Sequence, residues 1–479
     1  MNPVIVIPSY WAENEDTGFV HEVGVYDHAT PITKPVPELQ TCLDSLEQVR
    51  GILRVVVLLV APPHCADSAR ARVNGICAMH PNLNPLIIGY REAKNIQNAI
   101  HVVAPKMEGE TVSLRGYGAI RNMGLVVAAI LGHDVVVFMD DDEVALDENF
   151  LIDAVYGLGL LTRQDLPVSA KTGFFYDRSD SCYADESTTR WCERFWTKKS
   201  EFNDWMERAQ SSTRISRSNY VCGGCFALYA DAFCRVAFDP YITRGEDLDY
   251  LFNLRMNGLD VWFDNQWAVK HLPPKTASRA SRFMQDVYRW TYEVAKIDVV
   301  NHRIGLRPIT ADSLEPYPAP WISPEVNRRI FLTSLLHAIA GPERKEYFHI
   351  WLRGRYDART WAARVKESYL AFQTYWPGMM SALWCNEALG QAILETGVPR
   401  LPKSAPRRAK RRFDEEEDYS ANARRWQGED NESSLQEADS YDEYEEYEEY
   451  DDYAEYPEYD EYEDAEYEDD LQDEGQWDA

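Results

Sequence analysis

Asp140-Asp141-Asp142 closes the hydrophobic run Val135-Val136-Val137-Phe138-Met139 and is followed by Glu143. Carboxylates crowded at the end of a buried strand are costly when they leave water unpaired. A divalent cation that bridges them to an anionic ligand offsets that cost. Moving a group from a nucleoside diphosphate requires this charge arrangement. Mg²⁺ and Mn²⁺ prefer such hard oxygen ligands. Asp142 can contact the ion directly, and Asp140 can contact a ribose or the surroundings of the metal. The plainer reading of an acidic triplet, a helix cap with solvated loop carboxylates, loses weight because a buried strand precedes it.

Three further groups could take part. Glu246-Asp247 follows Gly245 at the start of a helical stretch. Acidic residues in a first turn favour the helix dipole, which is one explanation for them. The other is a general base: a sugar hydroxyl is a weak nucleophile, and a carboxylate within hydrogen-bond reach can take its proton. His271 precedes Leu272-Pro273-Pro274 at the end of a strand, where an imidazole is either structural or part of a metal shell. Gly116-Tyr117-Gly118 leads to Arg121-Asn122, which can face a base or phosphates, or form a surface turn. No Gly-Lys-Ser/Thr phosphate loop is present, and no dinucleotide glycine fingerprint follows the first strand. Cys222-Gly223-Gly224-Cys225 lacks a second cysteine pair, and a zinc site needs about four ligands. The two cysteines therefore read as small packing residues around a turn. Trp191, Trp196 and Trp205 suit sugar stacking or ordinary packing equally.

The elements that must carry these residues alternate. Val4 to Ile7 reads as a strand broken by Pro8-Ser9-Tyr10-Trp11, and a polar loop runs from Ala12 to Pro37. Leu39–Val49 has helical spacing, Val55–Val60 is a wholly apolar strand, Ala66–Ala78 is a helix and Leu86–Ile88 a strand. Gly118–Leu131 is a helix with Met123, Val126, Val127 and Ile130 on its apolar side. Further strands are expected at Val135–Met139, Val168–Thr172 and Val261–Phe263, and helices at Asp247–Met256 and 280–300. This is an α/β open-sheet pattern, in which apolar strands are covered on both faces and ligands collect at strand carboxyl ends. From Pro324 to about Thr396 the pattern is helical and rich in Trp and Tyr.

The chain has 479 residues and a formal net charge of −30, unevenly spread. No Lys or Arg follows Arg425, and roughly half of Asn431–Ala479 is Asp or Glu. Like-charge repulsion and few aliphatic residues predict a disordered acidic, Tyr-rich tail after the basic patch at 403–412. The expected division is residues 1–300, 301–402 and 403–479. No apolar run approaches the roughly 20 residues needed to span a bilayer. The nine cysteines are scattered, and no signal-peptide pattern opens the chain, so a cytoplasmic protein is expected, with peripheral membrane contact left open. A nucleic-acid partner is not expected, since the tail repels phosphates and no basic groove is apparent.

Taken in order, Val4-Ile5-Val6-Ile7-Pro8, Arg121-Asn122, Phe138-Met139-Asp140-Asp141-Asp142, Gly223-Gly224-Cys225-Phe226, Gly245-Glu246-Asp247-Leu248-Asp249 and Lys270-His271 resemble the GT-A fold nucleotide-sugar glycosyltransferases, especially the family-2-like group. The match spans about residues 3–275. It implies a GT-A-type open mixed sheet flanked by helices, Mn²⁺ or Mg²⁺, and a nucleoside diphosphate sugar as donor. The implied donor-binding residues are Pro8, Tyr10, Arg121, Asp140 and Asp141, and the implied metal ligands are Asp142 and His271. Asp247 would be the base of an inverting transfer to a hydroxyl of a small sugar, polyol, glycan or protein, with Glu246 orienting groups beside it. Two features depart from the pattern: Val60 is followed by Ala61-Pro62-Pro63 rather than by a base-holding Asp, and the loop after the first strand is long. A sugar nucleotidyltransferase would place a Gly-rich basic loop after the first strand, which Pro8-Ser9-Tyr10-Trp11 does not supply. A non-catalytic scaffold acting through its acidic tail leaves the ordered body motifs unexplained.

Overall fold

The computed structural model describes residues 1–13, 29–187, 189–274 and 278–400. The expected tail and basic patch, and most of the loop between Ala12 and Pro37, lie outside the described residues. Alternation of side chains explains why the first strands are apolar throughout. Pro3–Ala12 (β1), Val55–Val60 (β3) and Val135–Phe138 (β5) run parallel side by side. Val4, Val6, Val56, Val136 and Phe138 enter one core, while Ile5, Ile7, Val57, Val135 and Val137 enter another on the opposite face. A strand buried on both faces has no polar side to show.

The sheet is mixed. Its order is β4-β3-β1-β5-β9-β7-β10-β6, with Pro85–Ile88 (β4), Glu143–Ala145 (β6), Ala170–Tyr176 (β7), Phe226–Tyr229 (β9) and Trp262–His271 (β10). Thr30–Pro31 (β2) pairs with β1, and Ile215–Arg217 (β8) with β10. β9 is antiparallel to both β5 and β7, and β6 is antiparallel to β10. The first strand does not break at Pro8. It continues to Ala12 because β3 pairs as far as Tyr10↔Val60 and β2 takes over at Trp11↔Thr30. The ladder with β5 has ended by then, at Val6↔Phe138. The strand expected at Val168–Thr172 is Ala170–Tyr176, held between β9 and β10.

Helices cover the sheet: Glu38–Leu46 (α1), Ala66–Cys77 (α2), Tyr90–Val103 (α3), Tyr117–Ile130 (α4), Phe150–Val155 (α5), Lys198–Gln210 (α6), Ala230–Phe233 (α7), Glu246–Met256 (α8) and Arg279–Asn301 (α9). The C-terminal region is helical, with Val326–Ala340 (α10), Arg344–His349 (α11), Arg355–Val365 (α12), Ser368–Gln373 (α13), Trp376–Leu383 (α14) and Glu387–Gly397 (α15). Every residue of α4 is buried, not only its expected apolar side, because α14 and α15 pack over the face turned away from the sheet. Among the described residues no helix is long and apolar enough to cross a membrane.

Candidate active site

The early end of β5 makes the site. At Phe138 that strand stops and the chain leaves as Asp140-Asp141-Asp142, while β1 runs on with Pro8 and Tyr10. A cleft opens between them, closed from the other side by the N-terminus of α8 and by α9. Its walls include Pro8, Tyr10, Tyr117, Arg121, Asp140, Gly223, Glu246 and Asp247. Pro8, Tyr10, Arg121, Asp140, Glu246 and Asp247 are thus brought together from segments up to 239 positions apart in sequence (247 − 8).

Arg121 is the hub. Its Nη2 donates to Asp140 Oδ1 at 2.7 Å, its Nε donates to Glu246 Oε1 at 3.2 Å, and its guanidinium lies 5.0 Å from the Phe138 ring centroid. A buried guanidinium needs both carboxylates, and each carboxylate is fixed by it in return. Burial raises the Glu246 carboxyl to about 7, with Arg121 opposing and Asp247 and Asp140 adding to the shift. The Tyr10 phenol is pushed well up by burial and by Tyr117 and Glu246, so it remains a proton donor at neutral pH. Asp247 accepts Leu248 N through Oδ1 at 2.7 Å and lines the cleft. Asn122, read from sequence as a partner of Arg121 at a ligand, is instead spent on the backbone: it donates to Thr111 O and Phe238 O and accepts from Phe238 N.

The acidic triplet divides its labour. Asp140 faces the cleft. Asp141 points into the protein, where Ser9 Oγ donates to it at 2.6 Å and itself accepts from Trp11 Nε1 at 2.8 Å; it does not line the cleft. Asp142 is carried across the sheet, because β6 follows it and pairs with β10 at His271↔Glu143. Leu272 N donates to Asp142 O at 2.8 Å, and His271 Nε2 stands 3.3 Å from Asp142 Oδ2. Two ligands bound at about 2.1 Å and at right angles around one ion are about 3 Å apart, so this separation fits a shared cation. Neither residue lines the cleft wall itself. Among the described residues no cluster of three or more His, Cys, Asp or Glu could hold a metal. Asp142 and His271 are therefore two donors, fewer than a metal site built from protein side chains alone would need.

Glu143 acts as a clamp. It is buried, its Oε2 accepts Asp140 N at 3.1 Å, and burial with Asp140 and Asp142 nearby pushes its carboxyl well up. Only a glycine fits at 224, since a Cβ there would fall 1.9 Å from Glu143 Oε2. The Cys222-to-Cys225 segment is a turn with both cysteines buried, as packing residues would be. Trp205 packs against Tyr220 and Phe263, Trp196 against Phe283 and Trp321, and Trp191 is exposed.

Sequence reasoning missed the other half of the cleft. Lys198, Arg244, Arg282 and Arg289 form a basic wall of the same cleft. No motif marks them, because they come from α6, the loop before α8, and α9.

No protein-family model matches the chain, and no curated protein matches it. Among solved structures it is similar to a mannosyltransferase from Pyrobaculum calidifontis in complex with GDP-Man and Mn²⁺, at 14% identity over 80% of this chain and 86% of that one, with a TM-score of 0.39. It is also similar to GalNAc-T7 with UDP, GalNAc and Mn²⁺, at 12% identity over 79% and 58% of the two chains and a TM-score of 0.35. A third is glucosyl-3-phosphoglycerate synthase from Mycobacterium tuberculosis with Mn²⁺ and uridine-diphosphate-glucose, at 12% identity over 59% and 74% and a TM-score of 0.31. Likenesses this loose assign neither a family nor a residue's role.

Proposed function

We propose that the protein is a GT-A-type glycosyltransferase that moves a sugar from a nucleoside diphosphate donor to a hydroxyl acceptor. The observation that carries this reading is the convergence of Asp140, Arg121, Glu246 and Asp247 on one cleft at the carboxyl ends of β1 and β5. The 3.3 Å approach of His271 Nε2 to Asp142 Oδ2 supports their sharing a cation in this reading. In open α/β sheets that edge is where ligands bind.

In this reading Asp140, Tyr10, Pro8 and Arg121 hold the donor, with Asp141 bracing the strand end from beneath through Ser9. Asp142 and His271 would hold Mn²⁺ or Mg²⁺. A bound divalent ion supplies charge neutralisation for a departing diphosphate. Asp247 accepts the proton of the acceptor hydroxyl as that oxygen attacks the anomeric carbon. The new carbon–oxygen bond forms as the bond from that carbon to the diphosphate oxygen breaks, and the electron pair leaves with the diphosphate. Glu246, gripped by Arg121, keeps the first turn of α8 aimed at the cleft. One-step displacement by this route inverts the anomeric centre.

The test is a thermal-shift screen of nucleoside diphosphates and nucleotide sugars, each with and without Mn²⁺. One donor should stabilise the wild type only with metal present, and Asp142→Asn should abolish the shift. Asp247→Asn should keep that shift and lose about 10²–10⁴-fold in transfer rate, the range for removing a positioned general base. A folded protein that no donor stabilises would reject the reading.

A further inference from the structure

The helix that runs from α11 through a π-helical turn at Ile350–Gly354 into α12 has one face given to packing. Tyr347, Ile350, Gly354, Ala358 and Ala362 are buried, and α9 packs against α12. The outer face carries large side chains that this packing does not use: Phe348 is 51% exposed, Leu352 63% and Tyr356 70%. Residues four apart drift by about 40° around an α-helix of 3.6 residues per turn. The π turn takes more residues per turn, so it offsets that drift and keeps the three along one side. Exposed apolar residues scattered singly are ordinary, but a row of large ones marks a surface that meets something.

The row is braced and ringed with charge. Phe348 packs beside Trp351 with 5.8 Å between ring centroids, and Trp351 beside Phe331 of α10 with 6.0 Å. Between Arg344 and Val365 there are six Lys or Arg against two Asp or Glu. Asp357 pairs with Arg353 at 3.4 Å. Arg344, Arg355 and Arg359 donate to neutral groups, the carbonyls of Gly341 and Trp351 and the Asn327 amide, which leave their charge in place. Burial and the nearby Arg359 both disfavour the charge of Arg355. Glu343, just before the helix, is turned to the start of α9, where Ser278 and Ala280 donate to it. Even with Glu346 and Asp357 each cancelling one cation, the helix keeps an excess of positive charge.

We infer that this face is a docking surface for a lipid membrane with anionic headgroups. The inference stands apart from the transfer reading. A leaflet satisfies both halves of the face: the headgroup boundary takes Phe348, Leu352 and Tyr356, and the lipid phosphates take the Arg and Lys beside them. A nucleic acid would pair the cations and leave Phe348 and Leu352 in water. A second copy of the chain, docked by the same face, would set the cations against one another. The chain's formal net charge of −30 does not forbid the contact. Charges more than about 8 Å away are largely screened at physiological salt, so the local charge of the face decides.

The experiment is co-sedimentation of the full chain with vesicles of phosphatidylcholine alone and of equal parts phosphatidylcholine and phosphatidylglycerol, at low and high salt. The chain should partition at least tenfold more strongly onto the mixed vesicles, and high salt should weaken that binding. Leu352→Ser combined with Tyr356→Ser, and separately Lys345→Glu combined with Arg364→Glu, should each lower partitioning tenfold or more. Leu160→Ser, at a leucine 64% exposed between α5 and β7, should leave it within twofold. Unfolding midpoints confirm that each variant folds. The inference is overturned if the chain does not bind the mixed vesicles, or binds pure phosphatidylcholine equally well. It is overturned too if Leu160→Ser lowers binding as much as the variants of the row. Loss in the charge variant alone would make the face a general polyanion site, and a change only in the chain's own association state would make it a self-interface; either result overturns the inference.

Discussion

Glu246 shows how one residue joins stability to the cleft. Burial beside Asp247 and Asp140 raises its carboxyl to about 7 despite Arg121. An unfolded glutamate ionises near about 4.3. Between the two values the folded chain keeps a proton that the unfolded chain has released. The contribution of this group is therefore full below the window and falls as pH rises from about 4.3 to about 7. Glu246→Gln should remove that fall. Urea midpoints at about pH 5 and about pH 8 should show the wild type losing stability relative to the variant between them. A difference between the two proteins that does not change with pH would contradict the burial argument.

At the scale of elements, the start of α8 is set by its glycine. Gly245 has a φ of +69°, which side-chain-bearing residues rarely adopt, and its missing Cβ makes room for Arg289. Gly245→Ala should cost about 1–2 kcal/mol for the left-handed backbone alone, and more for displacing the guanidinium. Gly157→Ala provides the comparison, since Gly157 has a φ of +78° and open space around its missing Cβ. Chemical denaturation of both variants separates the two costs. Equal losses would mean that Arg289 moves aside freely and that the wall is not rigid.

At the scale of the whole molecule, the C-terminal helices are part of what holds the site. Tyr369 Oη donates to Ala237 O at 3.1 Å, Gln373 Oε1 accepts from Ala237 N at 2.9 Å, and Trp376 Nε1 donates to Phe233 O at 2.8 Å. Trp376, Met380, Leu383 and Ile393 are buried. Burying a large apolar side chain stabilises by roughly 1.5–3 kcal/mol, and a domain's whole stability is about 5–15 kcal/mol. A fragment of residues 1–300 would expose the outer face of α4, which carries Arg121. It should therefore be insoluble or melt without cooperativity, as calorimetry would show. A sharp, reversible transition in that fragment would mean that the helices are an addition rather than a support.

Much of the frame was legible in the chain. Apolar runs such as Val55–Val60 mark strands covered on both faces, because a two-sided core leaves no place for polar alternation. Asp140 stands out because a carboxylate at the end of a buried strand has few structural reasons to be there, whereas Glu246-Asp247 reads equally as acids favouring the first turn of a helix. Other features depend on long-range pairing. The length of β1 is set by β2 and β3, and the separate destinations of Asp141 and Asp142 by the pairing of β6 with the distant β10. The basic wall follows from three elements converging on the buried Asp286. Local sequence specifies which segments are apolar and where charge interrupts them. Tertiary structure decides which distant charges meet, because pairing energy depends on distance through space, and spacing along the chain does not encode it.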